Sequence, residues 1–349
     1  MTNHMLKEEK SIGMKLKTFT EIKETETEFL LGTCVPKQSI TLLIGDGGVG
    51  KSLIECSIAA ALSNGTPTIL DLEDPFDESF EEKREAPKTT LLLMAEDDPS
   101  RVIAGRLKKC GADLSKIYTP DLEDIVLCKL KSEELEETIA EYKPDLVIMD
   151  PLQSFLPSGV QMSQRNEMRS CLEPLNVLAE KYGTTFLITV HTNKRAGASG
   201  RNRMADSADI WDIARSALIV GKTGDGDVGY ISHEKSNYGE HEVTVLFRIV
   251  DGRVQSAGVT KKKDYDFVND REPKAYRAPK RDEAIDFIVR QLQTSGKMQV
   301  RDLDAELKAA GFSQSTSSRA KTELYQSKVT LQSSLGSGIN KRHFIELVE

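Results

Sequence analysis

Cysteine, tryptophan and long apolar runs are scarce in this chain. It contains 5 cysteines and 1 tryptophan in 349 residues, and no two cysteines form a C-x-x-C pair. This pattern predicts reduced thiols in a cytoplasm and argues against a disulfide framework or a zinc cluster. No segment approaches about 18 consecutive apolar residues, and the first residues lack an apolar signal-peptide core. We therefore expect neither a membrane span nor export.

An excess of positive charge is missing as well. Lysine and arginine total 47 against 55 acidic residues, which gives a net charge of −8. Such an average does not indicate a protein coated for nucleic acid, although basic residues can still concentrate in one loop. Hydrophobic residues make up 38% and charged residues 29% of the chain, as in globular proteins. The length allows one large domain or two moderate ones.

Short apolar segments alternate with helical patterns through the first two thirds of the chain. The segments SITLLIG, TTLLLM, DLVIMD and TTFLITVH have the length and composition of buried strands. Their alternation with helices predicts an α/β fold with right-handed βαβ units and a mostly parallel sheet covered on both faces. Beyond residue 215, ARSALIVG, VGYISHEKS and EVTVLFRIVDGRV predict shorter, more antiparallel strands that extend this sheet.

Composition divides the chain into four parts. Residues 1–28 are polar and predict a mobile arm, residues 29–258 form the α/β core, and residues 259–281 are a charged, proline-containing linker. An acidic segment at 71–88 predicts an exposed insertion within the core. Residues 282–349 predict three amphipathic helices and a hairpin, the order of a winged-helix domain, with SQSTSSRAKTELY as its recognition helix. Compact peptide-binding or dimerisation modules share this order, and contacts with DNA or with protein remain equal alternatives.

The segment GDGGVGKS, residues 45–52, matches the phosphate-binding pattern G-x-x-x-x-G-K-[ST] between a strand and a helix. Its glycines let backbone N–H groups converge on a phosphate, and the helix adds the positive end of its dipole. Lys51 is expected to reach the β- and γ-phosphates, and the Ser52 hydroxyl to ligate Mg²⁺. The predicted ligands are thus ATP and Mg²⁺. The nucleotide-binding residues are Gly45, Gly47, Gly48, Val49, Gly50, Lys51, Ser52 and Leu53.

Carboxylates follow two of the predicted strands directly. Asp150 ends LVIMD, where a side chain meets the phosphate end of a parallel sheet and can hold the metal. Pro151 follows it, although many P-loop ATPases carry their catalytic glutamate there. The base must then come from another strand, and Glu96 in TTLLLMAEDDPS is the candidate. We expect Mg²⁺ and the phosphate-loop lysine to offset the repulsion among these acids, and Asp98 to cap the next helix.

These features together resemble the RecA-like ATPases. Within them, AEDDPSRV, LVIMDPLQSFL and LITVHTNKR resemble the RepA family of hexameric replicative helicases, encoded mostly by plasmids and phages, over roughly residues 30–250. The resemblance implies that Glu96 is the general base and that Asp97 supports the magnesium–water shell. It also implies that Asp150 holds Mg²⁺. His191 would contact the γ-phosphate and report its loss to the next segment.

A basic segment without acids, TNKRAGASGRNRM, follows His191. In RecA-like proteins the corresponding loop faces the central channel, and its composition suits salt-sensitive contacts with the phosphate backbone of single-stranded DNA. An ordinary solvated loop can have the same composition. The predicted DNA-binding residues are Lys194, Arg195, Arg201 and Arg203.

RecA-like rings also complete each site with a cation from the neighbouring subunit. The Lys-x-Arg pair of related helicases corresponds here to HEKSNYG, in which Asn237 replaces the arginine. The candidates are therefore Lys235, Arg215 and Arg248, each of which can equally belong to a structural ion pair.

The leading interpretation is a ring-forming, hexameric DNA helicase for replication of a mobile element, with an initiator or loading protein as a further partner. Two alternatives stay open. One is a recombination or loading mediator without unwinding activity, and the other is an ATP-controlled DNA-binding regulator.

Overall fold

The computed structural model describes residues 16–71, 85–193, 198–204, 208–224, 226–239, 243–271, 279–335 and 341–348. The chain folds into two compact units, the first ending at Phe267 and the second beginning at Val268. Residues 16–28 of the predicted arm are exposed and contain one 3-10 turn, Phe19–Glu21. Residues 1–15 of that arm, and residues 72–84 of the predicted insertion, lie outside the described part.

The first unit contains a large mixed sheet covered by helices. The strands of this unit are β1 (Phe29–Leu31), β2 (Val35–Pro36), β3 (Ile40–Gly45), β4 (Thr90–Met94), β5 (Ile117–Tyr118), β6 (Leu146–Asp150), β7 (Thr185–His191), β8 (Ser216–Lys222), β9 (Gly229–Ser236), β10 (Thr244–Val250) and β11 (Arg253–Thr260). The first two form a separate two-stranded sheet, and the other nine form the large sheet. Its helices are α1 (Lys51–Asn64), α2 (Ala104–Lys109), α3 (Glu133–Tyr142), α4 (Arg165–Tyr182), α5 (Ala208–Ile213) and α6 (Asp264–Arg271), the last of which crosses into the second unit.

The strands of the main sheet lie in the order β11-β10-β9-β8-β3-β7-β6-β4-β5. Neighbouring strands from β8 to β5 run parallel, and those from β8 to β11 run antiparallel. The predicted α/β class with a mostly parallel sheet is confirmed. The expectation for ARSALIVG was only half right, because β8 pairs parallel with β3 on one side and antiparallel with β9 on the other.

Apolar side chains cover both faces of the sheet. On β3, Ile40, Leu42 and Ile44 pack with side chains of α3 and α4, while Leu43 points to the opposite face with α1 and α2. A strand buried on both sides has to be apolar at every position, because each successive residue faces a different layer. This requirement explains the continuous apolar runs in the sequence.

The order of the strands brings the chemically distinctive residues to one edge. In the pairing of β3 with β7, Gly45 lies opposite His191, and in the pairing of β4 with β6, Met94 lies opposite Asp150. Parallel strands present their carboxyl ends on the same side, so the phosphate loop and the ends of β4, β6 and β7 meet there.

The second unit contains α7 (Pro279–Ser295), β12 (Met298–Gln299), α8 (Val300–Ala309), α9 (Gln314–Gln326), β13 (Thr330–Leu335) and β14 (Arg342–Leu347). Its sheet has the order β12-β14-β13, and its core is built from residues such as Ile288, Leu303, Leu324 and Ile345. The three helices and the hairpin occur where the sequence predicts them. The predicted linker is not free of regular structure, since α6 lies within it.

Two glycines of the antiparallel part face aromatic rings: Gly221 faces Tyr230, and Gly229 faces Phe247. The ring of Phe247 is close to the phosphate loop. A Cβ at Gly229 would lie 2.2 Å from Cζ of Phe247. That ring is fully buried, and its Cε2 lies 3.9 Å from the position of a Cβ built on Gly50. Gly229 therefore allows the ring to pack behind the loop.

We expect Gly229→Ala to lower the free energy of unfolding by about 1–3 kcal/mol, because the buried ring has no room to withdraw. Urea denaturation followed by the fluorescence of Trp211, the single tryptophan of the chain, reports on this unit. Gly224→Ala is the control, because a Cβ there meets nothing within 4 Å. Equal losses in the two variants would contradict the packing argument.

Candidate active site

The phosphate loop joins β3 to α1 in the conformation that its glycines permit. Gly48 and Gly50 have φ values of 77° and 103°, in the left-handed region that disfavours side chains. At Gly50 a Cβ would also approach Cδ1 of Ile249 to 2.8 Å. The loop borders a cavity of about 410 Å³, which is large enough for a nucleotide's phosphates. Ten predicted residues line it: Gly47, Gly48, Gly50, Lys51, Ser52, Leu53, Glu96, Asp97, Asp150 and His191.

Lys51 folds back against its own loop. Its Nζ donates hydrogen bonds to the carbonyl oxygens of Gly45 and Asp46, both at 2.9 Å, and the residue is 6% exposed. Burial lowers the pKa of Lys51, and the negative charge of Asp150 opposes that effect. An incoming phosphate would supply the anion that a buried ammonium needs.

The two predicted magnesium ligands lie in contact. The Ser52 hydroxyl donates to Oδ2 of Asp150 at 3.1 Å. A hydroxyl and one carboxylate, completed by phosphate oxygens and water, are the oxygen donors that Mg²⁺ takes at nucleotide sites. Among the described residues no group of three or more His, Cys, Asp or Glu side chains forms an all-protein metal site. The donor set therefore fits Mg²⁺ that arrives with a nucleotide.

Glu96 and His191 approach each other at the edge of the same cavity. Nε2 of His191, the last residue of β7, lies 4.0 Å from Oε1 of Glu96, which follows β4 by two residues. Glu96 is 65% exposed and His191 34% exposed, so both side chains can reach water within the cavity. This arrangement allows Glu96 to accept a proton from water next to a group that can sense phosphate.

Asp97 and Asp98 have separate partners. Asp97 forms an ion pair with Arg106 of α2 at 2.5 Å, and Arg106 also lines the cavity. The sequence analysis assigned the compensating charge to Mg²⁺ and lysine and missed this arginine; its position on the helix that follows the acids was the available signal. Asp98 accepts from the backbone N–H groups of Ser100 and Arg101, both at 2.9 Å, which confirms the predicted helix cap. These hydrogen bonds lower the pKa of Asp98.

A buried glutamate that the sequence analysis missed lies beneath the site. Glu55 on α1 is 0% exposed and accepts a short hydrogen bond from the hydroxyl of Thr189 on β7. Burial raises the pKa of Glu55 well above its usual value, and the nearby charge of Asp150 raises it further. Its Oε2 has no hydrogen-bond partner among the described residues. The protonated form of Glu55 is therefore favoured at this position between α1 and β7.

The segment after His191 forms a loop that is closed at its base. Thr192 pairs with Met204 across an isolated bridge, and the backbone N–H of Asn193 donates to the carbonyl of Arg203 at 2.8 Å. The Asn193 side chain donates to the carbonyls of Asn202 and Met204 at 2.7 and 3.0 Å. The two ends of this segment, residues 192–193 and 202–204, are thus fixed to each other directly after β7.

The structure overturns one of the four predicted DNA contacts. Arg203 is 5% exposed, and its guanidinium forms ion pairs with Asp46 and Asp264, so the prediction that it contacts DNA is wrong. Arg201 is half exposed and forms an ion pair with Asp212 at 2.8 Å. Lys194 and Arg195 lie outside the described residues.

The three candidates for a trans-acting cation differ in their surroundings. Nζ of Lys235 donates to the carbonyls of Trp211, Asp212 and Ala214 at 2.7, 3.2 and 2.6 Å. These bonds use all three ammonium protons at the end of α5, so the assignment of Lys235 as a trans cation is corrected to a structural role. Arg215 is half-buried and Arg248 is exposed on β10. Asn237 donates its backbone N–H to the Arg215 carbonyl.

The chain matches a protein family model and is similar to individual known proteins. The AAA domain family matches residues 18–197, just over half of the chain. The DNA repair protein RadA of Bacillus subtilis (strain 168) is 25% identical over 182 residues, which are 52% of this chain and 33% of RadA. The chain thus spans about a third of the length of that relative. A crystal structure of the KaiC-like protein PH0186 from Pyrococcus horikoshii OT3 aligns with a TM-score of 0.45 and 14% identity, covering 66% of this chain and 99% of PH0186.

Glu55 leads to a prediction about pH. Below about pH 4.5 its carboxyl is protonated in both the folded and unfolded states. As the pH rises, the unfolded state releases this proton first, so the folded state loses stability relative to it. We expect Glu55→Gln to raise the free energy of unfolding by more than about 1 kcal/mol at pH 7. This gain should vanish below about pH 4.5.

Denaturation of the nucleotide-free protein in EDTA at several pH values measures this difference. Glu141→Gln is the control, because Glu141 is exposed on α3. A Glu55→Gln variant that is less stable than the wild type at pH 7 would show that Glu55 is charged in the folded protein.

Proposed function

Because the chain belongs to the AAA domain family, a family of P-loop ATPases, we propose that it hydrolyses ATP and uses the energy to act on DNA. The approach of Glu96 to His191 within 4.0 Å, at the edge of the phosphate-loop cavity, carries this proposal. It supports a hydrolytic base and a phosphate sensor in one site. The phosphate loop at the carboxyl end of β3 and the parallel strands beside it support a RecA-like arrangement of this ATPase.

In this proposal the chain's own residues bind and orient the reactants. Backbone N–H groups of the phosphate loop and Lys51 hold the triphosphate. Lys51 leaves the carbonyls of Gly45 and Asp46 when a phosphate offers it an anion. Ser52 and Asp150 would hold Mg²⁺, which when bound neutralises charge on the phosphate oxygens. Glu96 orients and deprotonates the attacking water.

The sensor strand offers a direct path from phosphate to the DNA loop. His191 is the last residue of β7, and the loop closed by Asn193 begins two residues later. A displacement of His191 on loss of the γ-phosphate therefore reaches the loop without an intervening element. We propose that exposed Arg201, together with Lys194 and Arg195, contacts the backbone of single-stranded DNA.

The finer proposal is a hexameric replicative helicase of the RepA type, serving a plasmid or phage and recruited by an initiator or loading protein. Arg248 is the stronger trans candidate, because it is exposed on β10 near the cavity residue Ile249. Arg215 is half-buried and the second choice.

Among the helices that the structure describes, none combines the length and the apolar composition that a membrane span requires.

We also propose that the second unit is a winged-helix module. The order helix, short strand, two helices and hairpin, with Ser313 capping α9 by accepting from the N–H of Thr316, supports this assignment. Arg319 is exposed on α9, as a phosphate-contacting residue of a recognition helix has to be.

A second function, that of a recombination or repair mediator without unwinding activity, is favoured by one observation. The relative at 25% identity is named a DNA repair protein. The structural role of Lys235 and the asparagine at 237 weaken the trans cation on which fast hydrolysis in a ring depends.

Lys51→Ala is expected to abolish nucleotide-dependent activity, since the loop loses its phosphate-binding ammonium. Glu96→Gln should bind ATP yet hydrolyse it about 100-fold or more slowly, because an amide cannot accept the proton from water. Fluorescent-nucleotide titration and phosphate release measure the two effects. Glu167→Gln on α4 serves as the control. Unchanged turnover in Glu96→Gln would sink the assignment of the base.

Single-stranded DNA is expected to raise the ATPase rate, and Arg201→Ala to reduce that stimulation while leaving the rate without DNA unchanged. The same preparation should separate a forked duplex when ATP is present. ATP hydrolysis stimulated by DNA, without strand separation under any loading condition, would favour the mediator over the helicase. Native mass measurement with and without nucleotide tests the hexamer.

A further inference from the structure

A buried arginine joins three separate segments of the first unit. Nη2 of Arg203 lies 2.8 Å from Oδ2 of Asp46 in the phosphate loop. Its Nη1 forms a short ion pair with Oδ1 of Asp264, the first residue of α6, and donates to the Tyr230 hydroxyl at 3.0 Å. One guanidinium thus bonds two carboxylates that are 218 positions apart in the chain (264 − 46).

Asp264 fixes the turn that carries Arg203. This aspartate is 0% exposed, and its Oδ2 accepts from the backbone N–H of Gly200 at 2.9 Å, while its Oδ1 accepts from the Tyr230 hydroxyl at 2.7 Å. Gly200 and Arg203 are the two ends of the 3-10 turn Gly200–Arg203. The turn and the start of α6 are therefore held as one body.

Asp46 is the adjustable partner in this network. It is 50% exposed, and its Oδ1 accepts a short hydrogen bond from the hydroxyl of Thr192, directly after the sensor histidine. Its backbone carbonyl accepts from Nζ of Lys51. The phosphate loop, the base of the DNA loop and α6 thus meet at one side chain.

Phosphate binding has to change the surroundings of Asp46. When Lys51 turns to a bound phosphate, it leaves the Asp46 carbonyl, and the phosphate brings negative charge to the same loop. Both changes raise the electrostatic potential energy of the Asp46 carboxylate, which then depends more on Arg203 as its compensating cation. Half-exposed Asp46 has room to shift on phosphate binding, whereas fully buried Asp264 does not.

We propose that Arg203 is a positioning residue that couples phosphate occupancy at Asp46 to the turn 200–203 and to α6, the helix that leads into the second unit. This coupling rests on the proposed binding of nucleotide at the phosphate loop. This coupling differs from the proposed path through His191 in its two ends, since it starts at Asp46 in the phosphate loop and ends at Asp264 in α6.

Hydrogen exchange with and without a non-hydrolysable ATP analogue and Mg²⁺ tests the coupling. In the full-length wild type, saturating analogue should slow exchange by about fivefold in peptides that cover 198–204 and 264–271, a usual strength of coupling between sites. In Asp46→Asn this protection should fall below about twofold, while protection of residues 45–53 persists. Asp46 is half exposed, so the amide variant is expected to fold.

Two further variants separate coupling from a static structural role. Glu136→Gln is the matched control, because it also turns a half-exposed carboxylate of an ion pair, with Lys181 at 2.7 Å, into an amide, and it should keep the full protection. Arg203→Lys keeps the charge but cannot bond both carboxylates as a fork, and it should lose the protection. If Arg203→Lys does not fold, Asp46→Asn alone decides.

The proposal is overturned if the wild type shows protection at 45–53 but none at 198–204 and 264–271. It is also overturned if Asp46→Asn keeps the wild-type protection in those peptides. Absence of protection at 45–53 in the wild type is a different result, because it removes the nucleotide-binding function and the coupling with it.

Discussion

Repulsion among carboxylates at the carboxyl edge of the parallel sheet is the constraint on which this site depends. The cavity at this edge is lined by Glu96 and Asp97, which follow β4, and by Asp150, which ends β6. Each acid needs a cation, hydrogen-bond donors, a proton or contact with water, since neighbouring carboxylates repel one another. The packing around the site can be understood as separate solutions to this one problem.

The solutions differ from one acid to the next. Asp97 and Asp98 are about equally half-buried, yet Asp98 takes backbone N–H donors, whereas Asp97 takes the guanidinium of Arg106. Asp150 accepts from Ser52 and is the acid left facing the phosphates. Glu55 is fully buried, and burial favours its protonated form because a charged carboxylate would lose its hydration there. Glu96 is the exposed acid that stays available to water.

The sequence was sufficient to predict those features whose physical cause lies in neighbouring residues. The apolar runs of β3, β4, β6 and β7, the glycines of the phosphate loop and the Asp-Pro cap each carry their cause within a few residues, and all were predicted. The parallel pairing of β8 was not, because ARSALIVG suits either direction and its partner residues on β3 lie 175 positions earlier. The helix α6 was missed because its buried Asp264 reads as a linker charge.

The sequence shows where the charged residues are, but it did not predict which groups they pair with. Four basic residues after His191 look equivalent in the sequence, yet Arg203 is buried because Asp46 and Asp264 arrive from distant parts of the chain. Lys235 likewise reads as a free cation until α5 presents three carbonyls to it. A single sequence contains the charges, whereas the pairing depends on tertiary contacts that span tens to hundreds of residues.

These pairings leave the phosphate loop connected in two directions. One route runs along β7 through His191 into the loop closed by Asn193, and the other runs from Asp46 through Arg203 to α6. They converge at residues 192–204, because Thr192 bonds Asp46 while the Asn193 N–H bonds the Arg203 carbonyl. The base of that loop is therefore constrained by both the sensor strand and the phosphate loop. A segment held at two points can change its conformation only when both contacts allow it, which favours a discrete switch over a gradual response.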